Sequence, residues 1–317
     1  MKLAAVVLGC ALAGACEKAN PSSPIPPEDI ALLRDLPPGN ILFVGGDYTK
    51  LKHLQAFVDS SFGTLAAQAM TRATGADPAT QKAWNECVAS LPHVRFAGAF
   101  AYKATIHVRF GFQGMTTKDL AACAAKAGYA SSVDPDGKFV TLTTPGPGGQ
   151  MMQFDYLTLA DGVVMYDGQI RLTAPPSWEP STRAELERIA SRLATDNAAN
   201  DKHLIELIAK TDRTKTFWFA GTGAGTPVAK AVGDVYGTVD VHDGGVVGDG
   251  TIELIDSALA TQLDVGLANM KNNGGGMPAV KSVIDSIRLS RTGSTVHVGA
   301  TLTADQIQAL ISLIEHQ

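Results

Sequence analysis

The sequence predicts an α+β fold of two similar lobes, each an antiparallel sheet with helices on one face, joined by a helical connector. Three observations carry that expectation. Strict alternation marks strands: Ile106, Val108, Phe110 and Phe112 point one way, Thr105, His107, Arg109 and Gly111 the other. Helical stripes begin at capping pairs, Thr116 with Asp119 and Thr182 with Glu185. The order strand, helix, hairpin, helix, hairpin occurs twice along the chain, as a duplicated unit would give. The resulting division is 1–15 signal peptide, 16–36 lipidated cysteine and proline-rich tether, 37–173 N-terminal lobe, 174–213 connector and 214–317 C-terminal lobe.

In the first lobe, a short helix is expected over Glu28–Arg34, ended by Pro37-Pro38. Ile41–Val44 reads as a buried strand stopped by Gly45-Gly46, and Thr49–Ala73 and Asp77–Leu91 as helices. Arg95–Phe100 and Thr105–Phe112 form a hairpin, followed by a helix from Thr116 to a stop at Gly128. Strands follow at Phe139–Thr143, Met151–Leu159 and Gly162–Tyr166. After Pro175-Pro176-Ser177 the connector carries a helix striped by Leu186, Ile189 and Leu193, then another over Asp201–Lys210.

The second lobe repeats the opening. Phe217–Ala220 is a strand with a glycine stop, and Pro227–Val232 is helical. Tyr236–His242 and Thr251–Asp256 form a hairpin around a glycine-rich turn, Asp243–Gly250. Ser257 caps a helix striped by Leu259, Leu263, Leu267 and Met270, which Asn272-Asn273-Gly274 ends. Ser286–Ser290 and Thr295–Leu302 make the last hairpin, and Thr303 with Gln306 caps a final helix.

Composition bounds the chemistry. Hydrophobic residues are 45% and charged residues 18%, enough apolar material for a core. Acidic residues number 31 against 26 basic ones, with no basic block to hold phosphates, so nucleic-acid binding is not expected. The N-terminus has a basic Lys2, an apolar run Leu3–Leu12 and the small residues Ala13-Gly14-Ala15 before Cys16. That is the layout of a secretory signal peptide. Its end resembles a bacterial lipobox, which implies cleavage before Cys16 and acylation of Cys16, the chain's attachment to a membrane. The alternative is ordinary cleavage after Ala15, releasing a soluble chain. Glu17 after the cysteine, by resemblance to Gram-negative lipoproteins, implies the outer membrane. Pro21, Pro24, Pro26 and Pro27 then keep the tether extended.

Cys10 leaves with the signal peptide, so Cys87 and Cys123 remain as a pair in an oxidising compartment. Bridging them would constrain the unfolded chain by roughly 3–4 kcal/mol. The alternative is two buried thiols packed as small hydrophobes.

No catalytic, cofactor or metal site is expected. Gly221-Thr222-Gly223-Ala224-Gly225-Thr226 has its third glycine one place too early for a dinucleotide loop, and reads as a strand-to-helix turn. Asp243 and Asp249 among glycines lack the spaced oxygen ligands of a calcium loop. Among the histidines His53, His93, His107, His203, His242, His297 and His316 there is no metal-ligand spacing. Three of these, His107, His242 and His297, lie on polar strand faces that in principle converge. No serine sits in G-x-S-x-G or S-x-x-K, and no carboxylate pair marks a glycosidase.

Asp35-Leu36-Pro37-Pro38 before a strand, and Tyr236-Gly237-Thr238-Val239-Asp240-Val241 before a small-residue turn, are loose motifs. Through them the mature chain resembles uncharacterised two-lobed lipoproteins of Gram-negative envelopes, and the resemblance implies no activity. The function expected is non-enzymatic partner binding or scaffolding at the membrane, without nucleotide or nucleic acid. The alternatives are a hydrolase with a dispersed site and a carrier of an apolar ligand. A buried His or carboxylate in a cleft would mark the hydrolase, and a continuous apolar cavity the carrier.

Metabolic labelling with a fatty-acid analogue tests the anchor. Wild-type protein takes up label and Cys16→Ala does not; equal labelling of the two contradicts acylation at Cys16.

Overall fold

The computed structural model describes residues 25–39, 42–47, 50, 78–91, 94–102, 105–145, 151–171, 177–223, 231–242, 245–273 and 278–306. Cys16, the signal peptide, the tether as far as residue 24, all but residue 50 of the helix expected over Thr49–Ala73 and most of the C-terminal helix lie outside them. The class is α+β, built on antiparallel strands. The described residues form two compact units, 25–205 and 206–306.

The first unit contains α1 (Pro27–Arg34), β1 (Leu42–Asp47), α2 (Pro78–Ser90), β2 (Arg95–Tyr102), β3 (Thr105–Gln113) and α3 (Thr117–Lys126). It continues with β4 (Ala130–Val133), β5 (Phe139–Pro145), β6 (Met151–Thr158), β7 (Val164–Arg171), β8 (Ser177–Pro180) and α4 (Arg183–Leu193). Its strands run in the order β1-β2-β3-β7-β6-β5-β4, with β8 also on β7. After β3 the chain crosses through α3 to the far edge and meanders back until β7 pairs with β3.

Helices cover both faces of this sheet, not one as expected. Alternation forces the division. Val140, Leu142 and Val164 pack against Val88 of α2 and Leu120 and Ala124 of α3. Their strand neighbours Phe139, Leu157 and Met165 point the other way and pack against Leu186, Ile189 and Leu193 of α4. A polar second face would leave these three apolar side chains in water, at about 1.5–3 kcal/mol each. α1 lies on the second face too, over β2 and β3. Gly111 lies beneath it: a Cβ there would stand at ordinary contact, 3.8 Å, from Leu32 and Asp35, and tighter, at 3.1 Å, on Val163 Cγ1. Arg95 on β2 pairs with Asp29 and Glu28 of α1. Leu32, Leu33 and Leu36 are fully buried, so the folded chain begins within the expected tether. β8 and α4, from the expected connector, likewise pack into this unit.

Local signals hold where they are strong. Thr116 and Asp119 make a complete capping box, as do Thr182 and Glu185. Gly128 ends α3 at φ 77°, a left-handed conformation that glycine adopts without strain. Gly45-Gly46 does not stop β1: both residues are buried and pair with Ala97 and Phe96 of β2. A glycine breaks a strand only where no neighbour satisfies its backbone.

α5 (Lys202–Ala209) spans the boundary in sequence. The second unit then holds β9 (Phe217–Thr222), β10 (Val232–His242), β11 (Gly245–Leu254), α6 (Ser257–Asn273), α7 (Pro278–Ser286), β12 (Ile287–Thr292) and β13 (Thr295–Thr303). The strand order is β9-β10-β11-β13-β12. The path matches that of the first unit: hairpin, helix, crossing to the far edge, return to the third strand. Ile252, Leu254, Val296, Val298 and Ala300 pack with Ala260 and Leu267 of α6 and Ile284 of α7.

Four expectations change here. Gly245–Gly250 is strand rather than turn, with Gly248 between Val239 and Ala300 and Gly250 between Gly237 and Val298. Val232 opens β10 instead of closing a helix. Asp256, not Ser257, caps α6, its Oδ1 accepting from the Leu259 N–H at 2.8 Å. Met270 is exposed, because the buried stripe of α6 ends at Leu267. The Thr303–Gln306 capping pair forms in both directions.

Cys87 and Cys123 are bonded, with Cα atoms 5.3 Å apart, joining α2 to α3 beneath the sheet. Cys123→Ser should therefore cost on the order of 2–5 kcal/mol in a denaturant titration. The unreduced, denatured protein should resist alkylation at both positions, and labelling of both without reductant would contradict the bond.

Candidate functional site

A groove of about 740 Å³ opens on the second face of the first unit, lined by the end of α1, the β6–β7 turn and α4. Each wall follows from local sequence. Pro37-Pro38 prevents α1 from continuing. The chain therefore turns at Asp35, whose N–H reaches the Leu32 carbonyl at 3.2 Å. Leu33 and Leu36 are buried on either side, and they carry Asp35 inward to 6% exposure. The β6–β7 turn closes through Gly162 at φ 84° and Leu159 N–H on the Val163 carbonyl at 2.8 Å. It holds Asp161 and Thr158 over the groove. α4 buries Leu186, Ile189 and Leu193 and turns Glu187, Ala190 and Ala194 toward the opening. Asn197 follows α4, its Nδ2 donating to the Leu193 carbonyl at 2.9 Å.

Three of the residues that line this groove each hold a side-chain oxygen without a partner. Asp35 Oδ2, Thr158 Oγ1 and Asn197 Oδ1 are buried and have no hydrogen-bond partner. Such a group costs about 1–3 kcal/mol, so three lining one groove is a costly arrangement unless something meets them. Burial, and after it the charge of the neighbouring Asp161 carboxylate and a hydrogen bond to it, raise the Asp35 carboxyl from 3.8 to about 8. Arg34 opposes this more weakly. Asp35 is thus mostly protonated at neutral pH. Lys138 Nζ sits on Glu187 Oε1 at 2.6 Å at the rim.

Asp167, another buried acid of this face, is matched differently. Arg109 Nε donates to Asp167 Oδ1 at 2.7 Å and Ser181 Oγ to its Oδ2 at 2.6 Å. Arg183 likewise ties α4 to Asp134, Asp155 and Thr141 and lies 4.9 Å from the Phe139 ring centroid. Both networks are satisfied and hold the walls in place.

The residues weighed from sequence fall elsewhere. Cys87 and Cys123 lie under the opposite face. Gly221 and Thr222 end β9, which pairs antiparallel with β10. Residues 224–230 and 243–244 lie outside the description. Asp249 is a strand residue opposite Thr238. His297 Nδ1 lies 3.1 Å from Thr251 Oγ1, beside Tyr236 on β10. His242 is six residues further along that strand, about 20 Å away at ~3.4 Å per residue, so these two do not converge. No group of three metal-ligating side chains occurs among the described residues. No described helix is long and apolar enough to cross a membrane. Asp35 was named in sequence only as part of the Asp35–Pro38 motif, and Thr158 and Asn197 were not singled out. The only hint is that Asp35 stands among Leu32, Leu33 and Leu36.

No family model matches the chain, and no curated protein matches it in sequence. Among solved structures it is similar to TP0453, a Treponema protein, in crystal form III: TM-score 0.50, 11% identity, 90% of this chain and 98% of that one. Crystal forms I and IV of the same protein give TM-scores of 0.47 and 0.48. At that identity the likeness concerns the fold alone.

The raised Asp35 carboxyl makes stability depend on pH. Between the unfolded value of 3.8 and the folded value of about 8, the native state holds a proton that the unfolded state has lost, so stability falls as pH rises across that window. Asp35→Asn removes this slope. Relative to wild type it should gain stability from pH 4 to pH 8 and then plateau, by on the order of a few kcal/mol in chemical denaturation. A difference independent of pH contradicts the raised value.

Proposed function

We propose that this chain is a lipid-anchored envelope protein that binds a ligand or partner in the groove of its first unit without transforming it. The observation that carries this reading is that three residues lining one open groove, Asp35, Thr158 and Asn197, each hold a buried oxygen without a hydrogen-bond partner. The lipobox-like start at Cys16 supports membrane attachment through an N-terminal lipid, and Glu17 supports the outer membrane of a Gram-negative bacterium. The disulfide agrees with an oxidising compartment. The proposed architecture is two similar lobes from a duplication. Its support is the shared path of hairpin, helix, far edge and return to the third strand.

The hydrolase reading keeps one observation in its favour. Asp35 and Asp161 are two interacting carboxyl groups with one held protonated, as acid–base pairs are. Binding accounts for the same pair more simply, because burial rather than Asp161 is the larger cause of the raised value. An apolar carrier is less well supported, since Arg34, Lys138, Asp161 and Glu187 line the groove with its leucines.

A photocrosslinking amino acid at Ser191 tests the groove in native membranes, with Val265 on α6 as the exposed control. A discrete adduct from position 191 and none from 265 is expected. Equal adducts, or an adduct from 265 alone, contradict the groove as the binding surface.

A further inference from the structure

β4 is the outer strand of the first unit, and its free side is a template for another strand. The Asp134 N–H donates to the Phe139 carbonyl at 3.0 Å, where the β4–β5 register continues one step past Val133 and Val140. Bonded and non-bonded pairs alternate along an antiparallel ladder, so Ser132 and Ala130 are the residues that bond to β5. Ser131 and Val133 lie between these bonded positions and turn their N–H and C=O groups outward. Those groups have no partner among the described residues. Outer strands in folded proteins carry charges, prolines or bulges that prevent self-pairing. β12, the outer strand of the second unit, has exposed Arg288 and Arg291. Ala130-Ser131-Ser132-Val133 has neither charge nor proline, and its register on β5 has no bulge. Its shortness is its one protection, so a lasting partner needs further contact beside it.

α3 supplies that contact if the partner is a second copy. The helix packs over β4 and β5. Its Thr117 hydroxyl donates to the Gly137 carbonyl at 2.9 Å, in the β4–β5 turn, so α3 runs antiparallel to β4 with its middle near Ser132. Strands in a sheet lie about 4.8 Å apart. With its axis above the gap between β4 and β5, α3 would stand about 10 Å from the α3 of a copy paired on β4, at the outer limit of helix packing distance. Small side chains suit that approach. Cys123 ties one flank of α3 to α2, and helical spacing puts Ala121 and the exposed Ala125 on the opposite flank. Lys118 lies at one end of that flank, so a two-fold axis carries its copy to the far end.

We propose that two copies of this chain join edge to edge through β4, with the two-fold axis at Ser132 and α3 packed on α3. In that register Ser131 faces Val133 of the second copy, and the two exchange both backbone bonds. The axis repeats the exchange. Ser132 faces Ser132 of the second copy, and Ala130 faces its Asp134, so no like charges meet. One sheet then runs through both copies. This surface is separate from the groove and does not depend on the binding reading.

Disulfide trapping of the full chain in its native membranes tests this. Ser132 and its copy form a non-bonded pair, with Cα atoms about 4.5 Å apart, within the range a disulfide spans. Ser132→Cys should therefore give a covalent dimer under mild oxidation, and the wild type none. Ser131→Cys should bridge at least about fivefold less, because its own copy lies diagonally across at about 7–8 Å. Thr292→Cys on β12 serves as the exposed control and should bridge as little. Two second changes in the Ser132→Cys chain probe the edge itself. Ser131→Pro removes an outward donor and leaves the bonds to β5 in place, and Ser131→Lys adds a charge without altering the backbone. Each should lower the dimer yield at least about fivefold. Several results overturn the inference: no dimer from Ser132→Cys, equal yields from positions 131, 132 and 292, a yield that neither second change lowers, or a bridge from position 132 to a different polypeptide alone.

Discussion

The first unit depends on one closure, the Ala198 N–H donating to the Leu36 carbonyl at 2.7 Å. It joins the end of the first described helix to the turn after α4, segments far apart in sequence. Both helices lie on the second face of the sheet, and the closure holds them side by side. Leu32, Leu33 and Leu36 are buried because α1 is held there, and Leu186, Ile189 and Leu193 because α4 is. The groove is the gap these two helices leave above the β6–β7 turn. Arg95 on Asp29 and Arg183 on Asp134 and Asp155 hold the same two helices from their N-terminal ends.

Against that frame, the electrostatics of Asp35 are anomalous. Asp167 is buried to a similar extent, but a guanidinium and a hydroxyl meet its two oxygens. Asp35 meets another carboxylate instead, and its neighbour Arg34 gives only the smallest of the influences on it. A fold under selection for stability alone would favour an apolar residue between Leu33 and Leu36. Polar groups left unsatisfied in a core are commonly retained for what they bind.

Local interactions were legible in the sequence and long-range ones were not. The capping pairs Thr116–Asp119, Thr182–Glu185 and Thr303–Gln306 involve residues three apart, so their geometry is set within one turn. The alternation of β3 and the Cys87–Cys123 bond were also legible, the latter from compartment as much as from pattern. Glycine misled in both units. Gly45-Gly46 and Gly245–Gly250 read as breaks, yet they are strand residues paired on their neighbours, and at Gly245 an added Cβ would run into the Leu302 carbonyl. At Gly237 an added Cβ would run into the Asp249 carbonyl and the Phe219 ring. The second helical face was hidden for a related reason: Arg95 and Arg109 mark it as polar in sequence, and only their partners Asp29 and Asp167 show that it is covered. The groove itself was illegible, since an Asp beside an Arg before two prolines reads as a solvated turn.

The character of the groove depends on Asp35 remaining protonated through neutral pH because it is buried beside Asp161. A carbon-13 NMR titration of the aspartate side-chain carboxyls measures this directly, with Asp35 assigned by its loss in Asp35→Asn. The midpoint for Asp35 should lie at about 8 and move down when Asp161 is replaced by Asn. A midpoint near 4, the same in both proteins, would contradict it.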